Sequence, residues 1–165
     1  MIDIRRYRGV TFLIACLCAC GDDGPTGSGA LAVQPFSTAT ETGASGVLVQ
    51  VRLRVTAGLN AFSTAVESGR AGAQVCEQQN CVSGLVVLGT PSPTCAAAPT
   101  TDVGSIQLGF AGAGFGGDAV GVDFCVQNLT NTTVFELTLT DGVNASNVTR
   151  TSCIPAGQGL VCDSD

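Results

Sequence analysis

The sequence predicts an all-β protein: an antiparallel two-sheet β-sandwich of about seven or eight short strands. Three observations carry this. Several stretches alternate apolar and polar residues with a period of two, which puts one row of side chains in a core and the other in water. No window sustains a helical period. Turn chemistry, such as residues 128–131 and Asp141-Gly142, separates the alternating runs.

The chain opens with a segment of another kind. Arg5, Arg6 and Arg8 form a positive head, residues 10–17 form a short apolar run, and Leu17-Cys18-Ala19-Cys20-Gly21 follows. That is the layout of an export signal with a cleavage point. The apolar run is well below the ~20 residues that span a bilayer, so it is not read as a transmembrane anchor. The aliphatic residue, two mostly small residues and Cys resemble the lipobox of bacterial lipoproteins. The resemblance implies cleavage before Cys20, a thioether-linked diacylglycerol on Cys20 and an N-acyl chain such as palmitate. Leu13-Ile14-Ala15-Cys16 also fits the box, but cutting there would leave an apolar region shorter than the usual ~7 residues. In the family an Asp after the lipidated Cys retains the protein at the inner membrane; Gly21 here favours the outer one. Residues 1–19 are thus expected to be a signal peptide. Residues 20–29, rich in Gly and Asp, are expected to be the lipidated Cys and a flexible spacer. Residues 30–165 would form the folded domain.

Within that domain the clearest strand is 46–57, where Val47, Val49, Val51, Leu53 and Val55 alternate with Gln50, Arg52, Arg54 and Thr56. Similar alternation marks 105–111, 119–127 and 132–140. Weaker strands are expected at 30–36, 84–88 and 148–153. Residues 90–101, rich in Pro and Ala, read as a longer loop. The run Val122-Asp123-Phe124-Cys125-Val126-Gln127-Asn128 and the Thr/Val/Leu-rich strand after it resemble the later strands of bacterial immunoglobulin-like surface domains. Thr100-Thr101-Asp102-Val103-Gly104-Ser105 is similar to a turn in the invasin type of such repeats. The resemblance implies an immunoglobulin-like sandwich and says nothing of activity. The chain departs from it in having no Trp, and in placing Cys125 on the opposite strand face from Val122, Phe124 and Val126.

Once Cys16 and Cys18 leave with the signal and Cys20 takes lipid, six cysteines remain: Cys76, Cys81, Cys95, Cys125, Cys153 and Cys162. An even set in an exported chain reads as three disulfides. Six cysteines allow fifteen pairings. Cys76 and Cys81 flank a polar tetrapeptide that can turn a hairpin, and Cys153 and Cys162 enclose Pro155, Gly157 and Gly159, so both pairs close locally. That leaves Cys95 to meet the outward-facing Cys125. The six do not form paired C-x-x-C knuckles and no His completes a zinc site, so no metal ligands are expected among them.

Composition excludes several function classes. The formal net charge is −6, which opposes binding to nucleic acid. The chain has no His, and its seven basic residues are all Arg, which removes Ser-His-Asp, Cys-His and Ser-Lys schemes together. Carboxylates remain, and a glycosidase pair is formally possible among Glu67, Asp102, Asp118, Asp123 and Glu136. Such sites bind sugars on aromatic platforms, whereas the folded region has no Trp or Tyr and its Phe fall mostly at core positions. Gly112-Ala113-Gly114-Phe115-Gly116-Gly117 spells G-x-G-x-x-G, but a strand follows it where a dinucleotide site needs a helix, so no cofactor is expected. Four N-x-[ST] triplets, at Asn128, Asn131, Asn144 and Asn147, read as turn and edge-strand chemistry. The expectation is a non-catalytic, lipid-anchored envelope module that meets an envelope protein or a glycan. The alternative is a ligand-binding sandwich, for calcium or a glycan, built on Asp102, Asp118 and Asp123.

Overall fold

A computed structural model describes residues 30–43, 46–89, 95, 103–111, 118–126 and 129–165. Its elements are β1 (Ala32–Gly43), β2 (Gly46–Ala57), α1 (Leu59–Glu67), β3 (Gly72–Glu77), β4 (Asn80–Leu85), β5 (Val87–Leu88), β6 (Val103–Ala111), β7 (Ala119–Val126), β8 (Thr133–Thr140), β9 (Thr149–Ala156) and β10 (Gly159–Ser164). They form two five-stranded sheets, ordered β1-β2-β7-β6-β5 and β10-β9-β8-β3-β4. The architecture is the all-β sandwich that the alternation implied, with more strands than the seven or eight expected. Every pairing is antiparallel except that of β5 with β6.

The period-two rows become the core. Val49, Val51, Leu53 and Val55 of β2, with Val120, Val122, Phe124 and Val126 of β7, face Val75 of β3 and Phe135, Leu137 and Leu139 of β8. Between the sheets Phe124 and Phe135 meet edge to face, ring centroids 5.1 Å apart, a favoured geometry for an aromatic pair. Hydroxyls close one side of the sandwich. Ser164 Oγ on β10 lies 2.6 Å from Thr38 Oγ1 of β1 and 2.7 Å from Thr151 Oγ1 of β9, while Thr40 Oγ1 donates to the Leu160 carbonyl at 2.9 Å.

Four expectations are corrected. The strand expected at 30–36 runs on to Gly43, because the polar stretch after Phe36 pairs along β2 once a register shift between Pro35 and Ser37 takes up one residue. That shift leaves Phe36 46% exposed, outside the core expected of most Phe, with the Arg54 guanidinium 5.2 Å above its ring. The single strand expected at 84–88 is a crossover between sheets: β4 ends at Leu85, Val86 plugs the core, and β5 joins the other sheet. Finally, α1 occupies a stretch in which no helix was expected. Phe62, Ala65 and Val66 bury its inner face, while Gly58 precedes it in the left-handed region at φ 76° without a side-chain cap.

Candidate functional site

Three disulfides staple the sandwich: Cys76–Cys81, Cys95–Cys125 and Cys153–Cys162, the pairs that the loop spacing suggested. Cys76 and Cys81 stand opposite each other across the β3–β4 hairpin, on the face turned away from core residue Val75. Cys153 and Cys162 stand opposite each other across β9 and β10 and turn inward, Cys153 within the core itself. Cys125 lies on the β7 face away from Val122 and Phe124 and joins residue 95 with a Cα separation of 5.7 Å. It is nonetheless buried. Cys20, the lipidation candidate, lies outside the described residues, as do Asp102, Asn128 and the glycine-rich run 112–117.

Three of the five carboxylates that composition left open, Asp118, Asp123 and Glu136, are engaged by arginines. Asp123 is fully buried on the outer face of β7 and forms an ion pair with Arg52, its second oxygen 3.4 Å from Arg52 Nη2. Burial pushes its pKa up, opposed by hydrogen bonds from Arg52 and Gln50 and by the Arg52 charge. Asp118 meets Arg54 Nε at 3.2 Å, and Glu136 accepts from Arg150 Nε and Nη2 at 3.0 and 2.9 Å. Among the described residues no three Cys, Asp or Glu side chains converge as a metal cluster would require. The two described members of the Asp102, Asp118, Asp123 trio are thus each held by a cation already within the fold.

Asp141 behaves differently. Its Oδ1 accepts from the backbone N–H of Val143 (2.8 Å) and Asn144 (2.6 Å), and its Oδ2 from Asn144 Nδ2 (3.2 Å). The Asn144 amide, with that of Val143, holds the carboxyl below its ordinary range despite desolvation. Gly142 completes this turn at φ 88°. Asn147, spelled as a sequon, instead bonds to β1: its Nδ2 donates to the Val33 carbonyl at 2.9 Å and its Oδ1 accepts from the Val33 N–H at 2.8 Å. No local sequence signal could have shown this contact, which spans 114 positions.

A groove of about 540 Å³ lies on the outer face of β3, β4 and β8, lined by Arg70, Gly72, Gln74, Leu85, Thr138 and Thr140. Its floor is the row Leu85–Gly72–Thr140. A second hollow of about 420 Å³, between α1 and the Asp141 turn, shares Arg70 with it. Sequence reasoning did not single out Arg70, because nothing local distinguishes it from the other arginines. No described helix is long and apolar enough to cross a membrane. No protein-family model matches the chain, and neither a curated protein nor a solved structure matches it.

Proposed function

We propose that the chain is an exported lipoprotein, anchored by lipid on Cys20, whose sandwich is an immunoglobulin-like surface module with a structural or binding role and no catalysis. The observation that carries this reading is the cysteine pattern: all six cysteines beyond the lipobox pair within one small domain, which suits an oxidising compartment. The lipobox supplies the address and the anchor, and Gly21 favours the outer membrane. The absence of His and Lys from the sequence, together with the arginines on Asp118, Asp123 and Glu136, supports a role without chemistry. An envelope protein or a glycan is the partner class proposed.

The test is Cys20→Ser. The native protein is expected in the detergent phase and the variant in the aqueous phase, because stable anchoring takes more than one lipid attachment and among the described residues no helix is long and apolar enough to cross a membrane. A variant that still partitions with detergent contradicts the anchor.

A further inference from the structure

Strand registers show which end of the sandwich faces the segment leading to Cys20. Ala30 lies against Gly58, where an added Cβ would sit 3.1 Å from the Ala30 carbonyl oxygen. Residues before 30 therefore join the domain where β1 begins and β2 ends. In the same sheet, Arg54 of β2 pairs with Ala119 at the start of β7, Ala119 with Ala111 at the end of β6, and β6 beside that point with Val87 and Leu88. In the other sheet, Gly72 at the start of β3 pairs with Leu85 and Thr140 at the ends of β4 and β8. The Asn147–Val33 bonds join the two sheets there.

This end collects exposed aliphatic side chains. Leu85, Val87, Leu88, Val143 and Val148 are 64, 59, 62, 80 and 49% exposed, five of the nine large apolar residues exposed among those described. Val134, Ile154 and Val161 lie toward the opposite end, near the β9–β10 turn. Arg70 is also at the anchor end. Arg52, Arg54 and Arg150 each bridge an acid, whereas Arg70 donates through Nε to Ser68 Oγ and forms no ion pair among the described residues. Asp118 is paired with Arg54, and Asp141 is turned onto its own loop amides, though the Arg70 charge nearby also helps to hold that carboxyl low.

We infer that this end of the sandwich docks on the phospholipid surface, with Leu85, Val87, Leu88 and Val143 at the boundary between headgroups and acyl chains and Arg70 at a lipid phosphate. The inference rests on the lipid-anchor reading. Residues 21–29 span at most about 30 Å even fully extended, so the tether holds the start of β1, at this end, within that distance of the bilayer. The tether raises the effective concentration of surface for the domain, which lets a modest apolar contact hold. Side chains of this kind settle ~5–10 Å into the boundary, and an arginine there keeps its head at the phosphates.

The chain has no Trp, so a single one is an unambiguous reporter. Val143→Trp, Leu88→Trp and Val161→Trp, each in the full lipidated protein, would be reconstituted in phosphatidylethanolamine–phosphatidylglycerol vesicles with and without brominated acyl chains. Brominated lipid is expected to quench most of the emission of Val143→Trp and Leu88→Trp and to leave that of Val161→Trp unchanged. Protein that floats with the vesicles but shows no quenching at residues 143 and 88, or equal quenching at 161, overturns the docking while the anchor stands. Protein that does not float with the vesicles overturns the anchor, and the docking with it.

Discussion

Asn147 supplies to β1 what a neighbouring strand would otherwise supply, one donor and one acceptor for Val33. Asn147→Ala would strand both backbone groups in a half-buried site, so it is expected to cost about 1–3 kcal/mol, read as a lower denaturant midpoint at unchanged slope. Asn147→Asp keeps the acceptor and loses the donor, and should fall between the two. Asp141 adds a pH dependence of definite sign. Its folded carboxyl is held below the ordinary range, so on acidification the unfolded chain takes up the proton first. Its contribution is therefore complete above the usual carboxylate range and lost as pH falls through the lowered folded value. Melting temperatures of native protein and Asp141→Asn should differ at neutral pH and converge in acid; a constant gap would contradict this. Asp123 has the opposite sign, since its folded pKa is raised: stability falls as pH rises from the ordinary carboxylate range and the loss is complete once pH has passed the folded value. At this scale the sequence was partly legible: Asp141-Gly142 announced its turn, but the roles of Asn147, Arg70 and Asp123 depend on partners far along the chain.

Strands that bury one face were legible and elements that break the alternation were not. β2 and β8 could be placed to within a residue or two because every second side chain is a large aliphatic or Phe. α1 was hidden for a physical reason. Its first turn has no Ser, Thr, Asp or Asn cap and no acid, its length is nine residues, and Ser63, Thr64 and Val66 are poor helix formers. What holds it is the burial of Phe62, Ala65 and Val66. The β4–β5 crossover was equally hidden, since Leu85, Val86, Val87 and Leu88 give an unbroken apolar run from which a change of sheet cannot be read. The disulfides were legible because two of them close local hairpins. On a chain-entropy estimate the Cys76–Cys81, Cys95–Cys125 and Cys153–Cys162 loops contribute about 2, 4 and 3 kcal/mol. Replacing Cys95 and Cys125 together by Ser should thus lower stability most, and replacing Cys76 and Cys81 least. Equal losses, measured by denaturant unfolding, would show that the long loop is restrained by other contacts.

The molecule as a whole combines a small core with covalent staples and, on the reading proposed here, a covalent address. Two hydrophobic faces and three bridges hold the described part of the domain together. The segment around Cys20 would account for where that domain works. Export, lipidation and oxidation converge on one observable, the intact mass of the protein extracted from membranes. The expected species begins at Cys20, is heavier than its polypeptide by a diacylglyceryl group and an acyl chain, and takes up no alkylating reagent when denatured without reductant. After reduction it should accept six alkyl groups, one for each cysteine of the three bridges. A chain that still carries residues 1–19, lacks acyl mass or reacts with the reagent before reduction would contradict the account.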